Sequence, residues 1–162
     1  MMKSIVPYLI CVLLLVTLET AESQECVINA TPKVAFNAYY STGSGNYGVN
    51  QSIVFPLVLL NEGGGYNEST GIFTAPVSGM YQFSINICNA DGKYMTAAIV
   101  HENTRITSTT THSATTSICT SATIPARLTT GERVYVQSTF NNLVMLANEH
   151  RYPSFTGVLI NV

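Results

Sequence analysis

Charge is what this chain has least of. Charged residues make up 10% of its 162 positions, against about 25% in an average soluble protein. Aspartate occurs once, at Asp91, and no stripe of Lys and Arg exists. Both nucleic acid and anionic membrane are held through clustered positive charge, so neither is expected as a partner. Collagen-type Gly-X-Y repeats and coiled-coil heptads are missing too, so no stalk is read here. Cysteine is scarce. Cys11 lies in the first apolar run, leaving Cys26, Cys88 and Cys119. This is not a disulfide-dense scaffold, and a packed core must carry the fold. Three cysteines are an odd number, so at least one thiol is free or pairs between chains.

Only one long apolar run exists. Ile5–Leu18 follows Lys3 and precedes the small residues Ala21 and Ser23. That is the pattern of a secretory signal peptide, residues 1–23, cut after Ser23. The run carries Pro7 and is short for a membrane span. The expected product is secreted, soluble and extracellular, with no membrane insertion. Residues 24–162 hold six basic and seven acidic side chains, and their length fits one domain. Residues 24–30 read as a short leader and 31–162 as the domain. So little charge implies solubility carried by Ser, Thr, Asn and glycans, or a surface hidden against copies of itself.

From Val34 onward the chain reads as short strands separated by turn residues. The candidates are VAFNAYY (34–40), SIVFPLVLLN (52–61), GIFTAP (71–76), MYQFSINIC (80–88), KYMTAAIVH (93–101), SATTSICTSATI (113–124), RVYVQSTF (133–140) and FTGVLINV (155–162). GSGN (43–46), EGGG (62–65), ADGK (90–93) and TTGE (129–132) read as the turns. Asp91–Gly92 is a hairpin signal. In the 80–88 segment Tyr81, Phe83, Ile85 and Ile87 share one face, and Met80, Gln82, Ser84, Asn86 and Cys88 the other. Such alternation, repeated at this spacing, predicts an antiparallel sandwich or jelly roll.

Few motifs carry chemistry. A phosphate loop needs a Lys before its Ser/Thr, and GGGYNESTG (63–71) has none. His101, His112 and His150 show no metal-ligand spacing, and no Gly-x-Ser-x-Gly elbow accompanies Asp91. No enzyme and no cofactor are expected. For calcium, acidic residues are sparse and no loop of oxygen ligands is visible. Asn29, Asn50 and Asn67 sit in N-x-Ser/Thr sequons and are candidate glycan acceptors. Asn67 is ranked last, because Asn in a turn bonds its own backbone. The Ser/Thr-rich stretch 107–117 reads as a loop and an exposed strand, and is the best guess for a polar ligand surface. Tyr39, Tyr40, Tyr47, Tyr66 and Tyr94 are able to stack on sugar rings, but their spacing names no sugar site.

The spacing of Phe55, Asn61, Tyr66, Phe73, Gly79, Tyr81 and Phe83, and the phrase YNESTGIFTAPVSGMYQF (66–83), resembles the signature of the complement C1q globular-domain family. VAFNAYYS (34–41), LTTGERVYVQ (128–137) and SFTGVLINV (154–162) resemble further strands of it. Ile85, Glu132, Tyr135 and Val158 depart from its usual residues but keep their apolar or acidic character. The resemblance implies an all-β, ten-stranded antiparallel jelly-roll sandwich like that of tumour necrosis factor. It implies binding of ligands, glycans or microbial surface molecules, in innate immunity. A cytokine-like trimeric ligand for a cell-surface receptor is the alternative.

The closing strand is apolar on both faces, Phe155 and Leu159 on one, Val158, Ile160 and Val162 on the other. A sandwich covers one face only, so the other is expected to pack against copies of the chain. The resemblance selects three copies. Met80, Gln82, Ser84, Tyr135, Val158 and Ile160 are the interface candidates, on strands expected to adjoin. Parity turns both Cys88 and Cys119 outward, and the resemblance implies that their strands lie in different sheets, so they are expected not to pair. Cys26 is then the candidate for a bond between chains.

Overall fold

The computed structural model describes residues 32–162. Twelve strands form: β1 (Ala35–Tyr39), β2 (Gly43–Tyr47), β3 (Leu57–Glu62), β4 (Tyr66–Asn67), β5 (Ile72–Thr74), β6 (Gly79–Cys88), β7 (Tyr94–His101), β8 (Thr104–His112), β9 (Cys119–Leu128), β10 (Arg133–Ser138), β11 (Leu143–Ala147) and β12 (Ser154–Asn161). Ten of them build two five-stranded sheets, ordered β3-β1-β12-β6-β9 and β4-β5-β10-β7-β8. Every pairing is antiparallel. This is the ten-stranded sandwich that the alternation and the resemblance implied. The additional pair, β2 with β11, forms a small sheet of its own.

Alternation sets what is buried. Tyr81, Phe83, Ile85 and Ile87 of β6 face inward and are fully covered. Phe36 of β1 is the hub of the core. Its ring stacks on Tyr66 at 4.9 Å and on Phe73 at 5.1 Å, and meets Phe155 edge-on at 4.9 Å. Phe73 also meets Tyr81 and Phe83 edge-on. Aromatic pairs of this kind add about 0.5–1.5 kcal/mol each beyond the area they bury. Where β12 crosses Phe36 and Phe83, only Gly157 fits: a Cβ there would overlap both rings.

Several local expectations change. GSGN (43–46) is not a turn but most of β2, because Leu143–Ala147 offers it a partner ladder. β11 itself was not read as a strand. Of the 52–61 segment only its second half pairs as β3, and β9 begins at Cys119 and runs on to Leu128. Asp91–Gly92 does make a tight turn, closed by Lys93 N–H to Ala90 O at 3.0 Å, with Gly92 at φ 70°. Yet it joins no hairpin: β6 and β7, on either side of it, belong to different sheets.

The edges of the two sheets meet. β3 runs into β4 through three glycines, and the Asn61 side chain clamps the backbone of Tyr66 from both sides, at 2.9 and 3.1 Å. At the opposite side β8 runs into β9, and the hydroxyls of Thr109 and Thr120 bond at 2.9 Å. Among the described residues no helix forms, so none is long and apolar enough to cross a membrane.

Candidate functional site

The outer face of the first sheet collects most of the residues expected to self-associate. Met80, Gln82 and Ser84 point outward from β6, and β12 lies beside it with Val158 directly opposite Gln82. Ile160 sits in a bulge between Leu159 and Asn161. Val158 and Ile160 are 44% and 53% exposed, and β3 adds Leu57, Leu60 and the bulged Leu59, which is 73% exposed. Between these apolar ends the face is polar and uncharged, with Asn37, Thr156, Ser84 and Thr123; Ser84 and Thr123 share a hydroxyl bond of 2.7 Å. The strands of this face carry charge only at Glu62 and Arg127, both at its corners. Tyr135 does not join it. It lies on β10, in the second sheet, opposite Ile72 and Val100. Alternation told which side of its strand Tyr135 faces, but not which sheet holds the strand.

The outer face of the second sheet has a different character. Thr96, Thr110 and Thr139 cluster there, and Tyr94 stands beside them. Arg105 of β8 reaches across to Asn50, donating from Nη2 to Oδ1 at 2.7 Å, and Gln137 donates to the carbonyl of Asn50 at 3.1 Å. Both described sequons lie on this side. Asn50 is exposed with φ 61°, and Asn67 accepts from the N–H groups of Ser69 and Thr70 through Oδ1. In each case the oxygen is engaged, leaving the amide nitrogen, the atom a glycan attaches to, out of these bonds. Asn29 and Cys26 lie outside the described residues.

Cys88 and Cys119 are disulfide-bonded. Both share the face opposite the inward side chains of their strands, as parity implied, although Cys88 is fully buried; the strands are neighbours in one sheet, so parity brings the thiols together instead of separating them. Beside the bond, Asn89 is fully buried. Its Oδ1 accepts from Thr111 Oγ1 and from the N–H of Ile118, which anchors the 113–118 loop. Arg151 holds the same loop by donating twice to the carbonyl of Ser117. Asp91 accepts from the Ser117 hydroxyl.

The titratable groups are dispersed. His101 Nε2 lies 3.1 Å from Glu132, His150 is paired on the surface with Glu149, and His112 stacks on Tyr94. The Glu132 carboxyl is held below its usual range, first by the N–H of Thr129 and then by His101. Glu102 is lowered by Arg133, which it meets at 2.9 Å. Among the described residues no three His, Cys, Asp or Glu side chains converge as a metal site.

The signature residues of the 55–83 stretch hold the fold. The Tyr66 hydroxyl donates to Phe55 O at 3.0 Å and accepts from Phe55 N–H at 3.2 Å, and the Tyr81 hydroxyl donates to Val77 O. Burial pushes the Tyr66 phenol up to about 12. Tyr66–Asn67 is therefore a short strand, residues 68–71 are the turn that joins it to β5, and the aromatics of this stretch are core.

Comparison with known proteins agrees with the sandwich. A family model described as C1q domain matches residues 35–160. Over 112 residues the chain is 30% identical to mouse Complement C1q tumor necrosis factor-related protein 6, covering 67% of this chain and 42% of the relative. The chain thus spans less than half the length of that curated relative. Among solved structures, the globular domain of zebrafish Complement 1qA protein superposes with a TM-score of 0.65 at 19% identity, over 79% of this chain and 98% of that one. Eiger TNF from S. frugiperda gives 0.64 at 11% identity, over 80% and 93%. At such identities the structural likeness is one of fold. The family match runs from the first strand of the sandwich into the last and takes in the aromatic core that both sheets share, and the chain belongs to the C1q domain family.

Proposed function

We propose that this chain is a secreted recognition protein, a homotrimer of C1q domains that binds extracellular glycans or microbial surface molecules and performs no catalysis. The observation that supports this is the contrast between the two outer sheet faces. One is apolar at its ends and nearly without charge, the composition of a surface covered by another copy. The other presents threonines, a tyrosine and both described sequons. Glycans at Asn50 and Asn67 would leave the first face free to assemble. A closed ring buries that face on every subunit alike.

Two measurements test the proposal. Light scattering of the reduced, deglycosylated mature chain at micromolar concentration should give three times the chain mass; a monomeric mass refutes the assembly. A glycan array should show selective, reproducible binding to sugars or bacterial wall polymers. A clean array, with saturable binding to one cell-surface protein, would instead support a cytokine-like ligand.

A further inference from the structure

A cleft of about 430 Å³ opens on the outer face of the second sheet, lined by Tyr94, Thr96, Thr110, Thr139, Phe140 and Leu143. Its volume lies in the range of small-ligand sites, about 300–1,000 Å³. Two aromatic rings stand in it with unusual exposure, Tyr94 at 54% and Phe140 at 67%. The Tyr94 ring is backed by His112, stacked at 3.9 Å and 12°. Phe140 projects from the turn between β10 and β11. A large apolar ring on a turn gains nothing from folding when it stays this exposed.

Between the rings lies a small hydroxyl network. Thr96 donates its one hydroxyl proton to the carbonyl of Thr109 at 3.2 Å. Thr96 also lies 2.7 Å from the Thr110 hydroxyl and 2.9 Å from that of Thr139, and with one proton to give it accepts from at least one of them. Whichever way those protons point, Thr110 and Thr139 each keep a lone pair, so the cleft offers acceptors to the O–H donors of a ligand. No charged side chain lines it. Lys93, next in sequence to Tyr94, lines a separate cleft on the other side of the 140–143 turn, with Asn141 and Asn142.

We infer that this cleft binds a neutral pyranose residue of a glycan. The C–H face of the sugar packs on Tyr94 and Phe140, and its hydroxyls donate to Thr110 and Thr139. A bare apolar ligand would leave those oxygens unpaired, and an anionic sugar would find no cation. The inference rests on the glycan-binding reading above and assigns it a site. That site lies on the sheet opposite the proposed trimer face, so assembly and binding do not compete.

The test is an array of neutral hexose oligosaccharides beside sialylated and sulfated ones, read with deglycosylated mature protein. Wild type should bind neutral glycans. Phe140→Ala, whose side chain carries no folding burden, should bind about tenfold more weakly, the scale of one lost ring contact. Thr139→Val, close to isosteric, should lose several-fold, and Lys93→Gln should bind as wild type. If wild type binds neutral glycans and both cleft variants bind equally well, the site is wrong and the glycan reading survives. Binding confined to sialylated or sulfated glycans, or lost in Lys93→Gln alone, also overturns the cleft only. An array empty for wild type overturns both.

Discussion

Cys88 and Cys119 face each other across β6 and β9, with their Cα atoms 4.0 Å apart. Residues directly opposite in an antiparallel pair approach this closely only at positions that exchange no backbone hydrogen bonds. The next bond in the ladder, Asn89 N–H to Ile118 O, falls where that register requires it. The residues are 31 apart in sequence, so the bond closes a loop whose chain entropy is worth about 3–4 kcal/mol. A peptide map of unreduced protein should contain the linked Cys88 and Cys119 peptides. The double variant Cys88→Ala/Cys119→Ser should lower the denaturant midpoint by a corresponding amount. Separate peptides in the unreduced map would contradict the pairing.

Tyr66→Phe should destabilise without changing the fold. The phenol is the partner of both the N–H and the C=O of Phe55. Removing it leaves two buried backbone groups unsatisfied, a cost of about 1–3 kcal/mol. The pH dependence has a definite sign. Burial raises the phenol to about 12, with Glu68 adding to the effect and the Phe55 bond opposing it. Between pH about 10, where a free tyrosine ionises, and about 12, the unfolded chain loses this proton and the folded chain keeps it. Stability therefore falls through that window. Denaturant melts from pH 9 to 12 should show a shallower fall for Tyr66→Phe than for wild type.

Gly157→Ala probes the narrowest point of the core. The added methyl overlaps Phe36 and Phe83, neither of which has room to retreat. Overpacking of this kind costs about 1–3 kcal/mol. Thr156→Ala, one residue away on the outward face, should have little effect. Thermal melts of the two variants side by side make the comparison; equal melting temperatures would contradict the close approach.

Glu132 should contribute to the acid limb. Its carboxyl is lowered from 4.5, chiefly by the Thr129 N–H. A depressed carboxyl stabilises above its unfolded value and ceases to do so as pH falls through the folded one. Melting temperatures measured from pH 7 down to 3 should decline below about 4.5. The decline should be smaller in Glu132→Gln, and identical slopes would show that the bond to Thr129 is not maintained in solution.

Local spacing made the core legible. Phe55, Asn61, Tyr66, Phe73, Tyr81 and Phe83 lie within one stretch of chain and bond or pack on one another there, while Phe36 and Phe155 reach them from the two ends of the domain. Parity also read correctly, placing Met80, Gln82 and Ser84 outward with Val158. What parity cannot carry is partnership. The same blindness misplaced Tyr135, separated the two cysteines, and turned the Asp91–Gly92 crossing into a hairpin. Each error concerns which sheet a strand joins, and that depends on pairings formed far along the chain. The cleft was hidden for a related reason. Tyr94, Thr110 and the adjacent Thr139 and Phe140 come from three separate segments, so no single stretch of sequence contains it.

The closure of the sandwich at both sides bears on how such a protein survives crowding. A sheet edge with unpaired N–H and C=O groups is a template for another chain's strand. Here β3 turns into β4 and β8 turns into β9, so each edge strand of one sheet is chained to an edge strand of the other. An incoming strand must displace those connections before it finds a ladder to extend. Pro125, in the edge strand β9, removes one donor as well. Copies of the chain at high local concentration can therefore touch without seeding fibrils.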